Sequence, residues 1–108
     1  MTEQETQINK TISKNLATIR KNTFRIVQGK KKLKKKHLTQ TEVGKAINVT
    51  FQQIQKFEKG INNIGSAKLK ILANFFGLPV GNMYEPIATY HKEIGEQNEN
   101  VSNDSMGN

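Results

Sequence analysis

The chain contains no cysteine among its 108 residues, which excludes a disulfide framework and a cysteine-based metal site. No apolar run approaches the roughly 20 residues needed to span a bilayer. No charged n-region followed by an apolar h-region marks a signal peptide, so a cytoplasmic protein is expected. Catalytic constellations are missing as well. There is no Ser/His/Asp or Cys/His spacing, and His37 and His91 stand alone and far apart in sequence. Neither is expected to bind a metal or to catalyse, so no enzyme, cofactor or metal is anticipated. No alternating strand pattern stands out, and the hydrophobic fraction of 34% is low for a chain that must bury a core. Acids are scarce in the body: between Lys10 and Lys70 there are 16 Lys/Arg and only two acids, Glu42 and Glu58. From Glu85 to Asn108 the balance reverses, with five acids and one lysine. A basic body with an acidic tail fits a polyanionic partner.

The most informative stretch is residues 39 to 60, TQTEVGKAINVTFQQIQKFEKG. Thr39-x-x-Glu42 and Thr50-x-x-Gln53 are both capping-box patterns. In such a box the hydroxyl accepts from a first-turn N–H, and the side chain three residues on bonds back to the cap. They imply two helices, the first ending near Ile47, with Asn48 and Val49 as the turn. Asn48 tolerates the left-handed backbone that such a turn needs. Gly60 suits the left-handed position just past the second helix. Gly44 is unfavourable in mid-helix by about 1 kcal/mol against alanine, so a close crossing of the second helix is expected there. Val43, Ile47, Val49, Ile54 and Phe57 can meet in one core. At about 100° per residue, Ile54, Phe57 and Glu58 cluster on one side of the second helix. Gln52, Lys56 and Lys59 lie opposite, flanked by Gln53 and Gln55. Gln can bond bidentately to adenine and Lys can donate to guanine O6/N7, so this helix suits the major groove. Glu58, on the inner side, needs a cationic partner.

On these residues the chain resembles the lambda-repressor-like Cro/repressor (XRE) helix-turn-helix regulators. The pattern runs from Leu38 to Gly60, and the resemblance covers roughly residues 30 to 85. It implies that Gln40 helps to hold a phosphate and that Phe51, Gln52 and Lys56 face bases. It also implies a cationic partner for Glu58 without identifying which Lys or Arg supplies it. Two positions depart from the family pattern: Asn48 stands where the family most often has Gly, and Phe51 where many members have a small or polar residue.

The expected fold is all-α, a compact five-helix lambda-repressor-like DNA-binding domain with an N-terminal helical extension and a disordered C-terminal tail. Residues 1–28 form the extension, polar over 1–7 and helical over 8–28, where Ile8, Ile12, Leu16, Ile19 and Ile26 recur at helical steps. It docks on the domain, pairs with a second subunit, or runs on into the first core helix. Residues 29–86 form the DNA-binding domain. Its first helix ends in the lysine run 30–36, which is either a solvated helix face and general polyanion binder or a contact to the DNA backbone. Ser66 caps a fourth helix with Leu69, Leu72, Ala73 and Phe76 inward, and Pro79 starts a short fifth helix ending near Tyr84. Phe75, Phe76, Met83 and Tyr84 read as core or dimer contacts. Residues 87–108 form the acidic tail, with 87–94 open to helix and the remainder disordered.

The function expected is a sequence-specific regulator of transcription, a repressor acting as a homodimer on a near-palindromic stretch of double-stranded DNA and nucleoid-associated when bound. Gln52 and Lys56 read bases, with Phe51, Gln53 and Gln55 as secondary readers, while Gln40, Thr50, Lys59 and Asn62 hold phosphates. Dimerisation follows from docking geometry, which sets two recognition helices roughly 34–36 Å apart. It would use Leu78, Val80, Met83, Tyr84 and Ile87, or Ile12, Leu16 and Ile19. The alternative is an antitoxin that binds a toxin through the N-terminal extension or C-terminal tail and also represses its own operon.

Overall fold

The computed structural model describes residues 1–95. Helix α1 (Glu3–Lys21) is followed by strands β1 (Thr23–Gln28) and β2 (Leu33–His37). Helices α2 (Gln40–Ala46), α3 (Phe51–Glu58) and α4 (Ser66–Phe76) come next, then a 3₁₀ turn (Val80–Tyr84) and a short strand β3 (Lys92–Ile94). The strands form one sheet in the order β2-β1-β3. β1 pairs antiparallel with β2 and parallel with β3.

The all-α, five-helix expectation is therefore corrected: the described residues hold four α-helices and a three-stranded mixed sheet. The helix expected over 8–28 instead spans 3–21. It starts early because Thr2 and Glu5 form a complete capping box, with the Thr2 N–H donating to Glu5 Oε1 at 2.7 Å and Thr2 Oγ1 accepting from the Glu5 N–H at 3.0 Å. It stops before β1, where Thr23, Phe24, Ile26 and Val27 are β-branched or aromatic and prefer a pleated surface. The lysine run is not a helix end. A helix over 30–36 would stack Lys30 on Lys34, Lys31 on Lys35 and Lys32 on Lys36, all unfavourable like-charge pairs. A hairpin spreads them over a turn and both faces of β2. Gly29 makes that turn, since a Cβ there would lie 2.5 Å from the Lys32 carbonyl oxygen. The fifth helix is a single 3₁₀ turn, and Gly65 rather than Ser66 is the N-cap of α4. Residues 87–94 end in a strand rather than a helix. The disordered tail expected beyond Gly95 lies outside the described residues.

The core joins Ile12, Leu16 and Ile19 of α1 to Leu38, Val43, Ile47, Ile54, Phe57, Leu69, Leu72, Ala73, Phe76 and Met83. The apolar stripe of α1 thus docks on the helices behind it and is not a free amphipathic face. Asn15, buried on α1, donates to the carbonyls of Met83 and Glu85 at 3.0 and 2.8 Å. That ties the helix to the 3₁₀ turn and satisfies a side chain that would be costly to bury alone. Thr23, 1% exposed, donates to the Ile19 carbonyl at 2.7 Å, and its own carbonyl accepts from the Leu38 N–H at 3.0 Å. The hairpin is clamped at its base to the end of α1. Tyr90 closes the C-terminal side: its hydroxyl donates to the Phe76 carbonyl at 3.3 Å and lies 3.3 Å from the Thr23 hydroxyl, whose single proton is shared between Tyr90 and the Ile19 carbonyl. Burial raises its pKa above the ordinary phenol value, against a smaller lowering by the Thr23 hydrogen bond.

Candidate nucleic-acid interface

The two helices α2 and α3 form where their caps place them. Thr39 and Glu42 make a reciprocal box, with bonds of 2.8 Å from the Thr39 N–H and 3.1 Å from the Glu42 N–H. At α3, Thr50 accepts from the Gln53 N–H at 3.3 Å, but the return bond is not made. The Gln53 side chain is therefore not held by the cap. Between the helices Asn48 takes φ 59°, the left-handed turn expected of it. The Val49 N–H donates to the Gly44 carbonyl at 2.9 Å. Gly44 is required because a Cβ would stand 2.5 Å from the Val49 carbonyl oxygen. The close approach is thus to the turn backbone rather than to the body of α3. Lys68 of α4 donates to the Ile47 carbonyl at 3.2 Å, satisfying the open end of α2. Gly60, at φ 75°, ends α3, and the Ile61 N–H returns to the Lys56 carbonyl at 2.9 Å.

The faces of α3 divide as the helical wheel indicates. Ile54 and Phe57 are buried in the core. Phe51, Gln52 and Lys56 are exposed, Gln53 and Gln55 are half-buried, and Thr50, Lys59 and Asn62 are exposed at the two ends and in the following loop. Phe51 is 47% exposed, an apolar ring standing in solvent at the start of the helix. No acid interrupts this face, and among the described residues neither Lys56 nor Lys59 is in an ion pair. The surface is a convex ridge of amide and ammonium donors, suited to acceptors on a groove floor and on phosphates.

The partner of Glu58 is Arg20, 38 residues earlier on α1. The guanidinium meets the carboxylate through two bonds, Nε to Oε2 at 2.7 Å and Nη2 to Oε1 at 3.0 Å. Its Nη1 donates to the Leu38 carbonyl at 3.1 Å, and Gln40 Nε2 donates to Glu58 Oε1 at 3.0 Å. Both charged side chains are less than a tenth exposed. A buried pair survives only when its spare donors and lone pairs are met in this way. The cluster fixes the last turn of α3 against α1 and the start of α2, which sets how far the ridge stands out. Arg20 escaped identification from sequence because nothing local marks it. Its position on the same stripe as Ile12, Leu16 and Ile19 is the signal that could have found it.

Among the described residues no group of three or more His, Cys, Asp or Glu side chains is arranged to hold a metal ion, and no helix is long and apolar enough to cross a membrane.

Comparison with known proteins accords with this geometry. The helix-turn-helix family matches residues 30–81. A relative from Sinorhizobium medicae described as an HTH-type transcriptional regulator is 38% identical over 48 residues, covering 44% of this chain and 34% of the relative. One from Sinorhizobium fredii is 53% identical over 34 residues, covering 32% and 24%. One from Rickettsia conorii is 34% identical over 68 residues, covering 55% and 54%. The chain spans from about a quarter to about half of the length of these relatives. No solved structure matches significantly. Over residues 30–81 the chain is thus similar to the helix-turn-helix family and to regulators described as HTH-type. The match begins inside the turn of the β1–β2 hairpin, so it does not include α1, although α1 supplies the arginine that holds α3.

Proposed function

We propose that this protein regulates transcription by binding double-stranded DNA in a sequence-specific manner, as a homodimeric repressor on a near-palindromic operator, and that it is not an enzyme. The observation that carries the reading is the exposed, acid-free ridge of α3. Gln52 and Lys56 stand opposite the buried Ile54 and Phe57, on a helix clamped through Glu58 to both α1 and α2. Gln52 and Lys56 read base edges, with Phe51 against a thymine methyl and Gln53 and Gln55 at the margins. Gln40, Thr50, Lys59 and Asn62 hold phosphates. Each good base contact is worth about 1–3 kcal/mol of discrimination, whereas a phosphate contact weakens all sequences alike when lost.

For the dimer, Ile12, Leu16, Ile19 and Met83 are committed to the core. Of the surface expected to pair, Leu78, Val80 and Ile87 are only partly buried and Tyr84 is exposed, and with the exposed Ile71 and Phe75 of α4 they are the apolar side chains offered here to a second copy. The test is selection of binding sites from a random duplex pool by the full chain, followed by Gln52→Ala and Lys56→Ala. The expected result is a palindromic consensus whose preference relaxes at separate positions in the two variants. No consensus, or unchanged preference in both variants, would refute the reading. Light scattering showing a monomer both free and on the selected site would remove the dimer.

A further inference from the structure

The β1–β2 hairpin stands between the first core helix and the helix-turn-helix. We infer that it is a second DNA-contacting element, a wing that grips the phosphate backbone flanking the site read by α3; this rests on the function proposed above.

Lys30, Lys31 and Lys32 occupy the turn and Lys34, Lys35 and Lys36 the strand, all exposed. Lys35 is neutralised by Glu93 of β3 at 2.6 Å. Among the described residues the other five are in no ion pair. Lysines placed only to protect a free sheet edge need no fixed orientation, but this hairpin is held in one. Its base is joined to β3, with Phe24 packed on His91 at a ring-centroid distance of 5.3 Å. Arg25 forms an ion pair with Glu42 in the first turn of α2. The register places Arg25 opposite Lys36 and Val27 opposite Lys34, so these four share one face. Arg25, Val27 and Lys36 then line a shallow cleft whose other wall is His37, Thr39 and Glu42. Two of the residues lining that cleft, Thr39 and Glu42, flank in sequence Gln40, the position at the start of α2 proposed above to hold a phosphate. Six residues of strand at about 3.3 Å each carry the turn about 20 Å from this base. That is about six base pairs along a duplex at about 3.4 Å per pair. A backbone passing the start of α2 can continue along the Lys36 and Lys34 face toward the turn.

The experiment measures affinity for the selected duplex, and for a random-sequence duplex, across a salt series, with flanks of about ten or about two base pairs beyond the site. Two variants of the full chain are compared with the natural one: Lys30, Lys31, Lys32, Lys34 and Lys36 all replaced by Gln, and Arg25→Gln, which keeps every hairpin lysine but removes the ion pair between its base and α2. Each lysine engaged on a phosphate adds about 0.9 to the slope of log affinity against log salt. The five-fold variant should therefore lose at least about two units of slope on either duplex, with its preference for the selected site intact. Trimming the flanks should weaken the natural chain at least about tenfold and the five-fold variant less than about twofold, with Arg25→Gln between the two. An unchanged slope overturns the wing, and so does a lower slope with no flank dependence in the natural chain, since the charge would then act diffusely. Failure of the function itself shows separately, as the absence of any selected consensus; the slope on random duplex still decides whether the lysines meet phosphate.

Discussion

Breaking the Arg20–Glu58 pair should be among the most damaging single changes in this protein. The two side chains are 8% and 7% exposed and share two hydrogen bonds. Glu58→Met leaves a guanidinium buried with only the Leu38 carbonyl, and Arg20→Met leaves a carboxylate buried with only the Gln40 amide. Removing one partner of such a pair costs about 3–5 kcal/mol, because an uncompensated charge stays behind. A small domain has only about 5–15 kcal/mol in total, and each kcal/mol shifts the midpoint by about 4–8 °C. Each single variant should therefore melt about 15–30 °C lower. Replacing both residues removes both charges together. The double variant should lose only the bonds to Leu38 and Gln40, about 1–2 kcal/mol, offset in part by better apolar packing. Urea unfolding of the natural chain, both singles and the double closes a cycle whose coupling should exceed about 2 kcal/mol. Single losses below about 1 kcal/mol, or a double equal to the sum of the singles, would show that the pair is solvated and that α3 is held by packing alone.

Three other outcomes are expected. Gly44→Ala should destabilise by about 1–3 kcal/mol despite its better helix propensity, because the new methyl collides with the Val49 carbonyl; a neutral or stabilising result in a thermal melt would show that the turn yields freely. Gln40→Ala should lower stability by about 1.5 kcal/mol through the lost bond to Glu58, and should also weaken binding to selected and random duplex by the same factor; loss of stability with unchanged affinity would make Gln40 structural only. Burial holds the Tyr90 phenol above its ordinary pKa of 10.0, so its contribution is complete below that value and is lost as pH rises through the raised one. Tyr90→Phe should therefore cost about 1 kcal/mol at neutral pH and remove that part of the alkaline loss of stability, seen by comparing melts of both chains at about pH 8 and pH 11.

What was legible in the sequence was local. Thr39 with Glu42, Asn48, Thr50 and Gly60 act on backbone groups within a few residues of themselves, so their spacing alone locates α2, the turn and α3. The buried and exposed sides of α3 follow from Ile54 and Phe57 on a regular helix. The hairpin was hidden for a physical reason. Ile26 lies in helical phase with Ile12, Leu16 and Ile19, which extended the apparent helix across Thr23 to Gln28. β2 has a single apolar residue, Leu33, followed by three lysines and a histidine, so it has no apolar alternation to display. What makes β2 a strand is its pairing with β1 and the cost of stacking six lysines on one helix, and the first of these is a tertiary fact. The partner of Glu58 was hidden likewise, because only the packing of α1 brings Arg20 to it.

Gln40 shows how the buried cluster and the exposed ridge are joined. Its amide nitrogen carries two hydrogens. One is directed to Glu58 Oε1 at 3.0 Å, so the phosphate contact proposed above could use the second without breaking the first. The side chain is thus held in one orientation, and in the proposed contact little rotamer freedom would remain to be lost on binding. Arg20 fixes the carboxylate that fixes Gln40, so a residue on α1 sets how α2 and α3 are held for the DNA contact proposed above. The Leu38 carbonyl, bonded to the same guanidinium, lies at the foot of β2. One arginine therefore sets the relative positions of α3, the start of α2 and the basic hairpin.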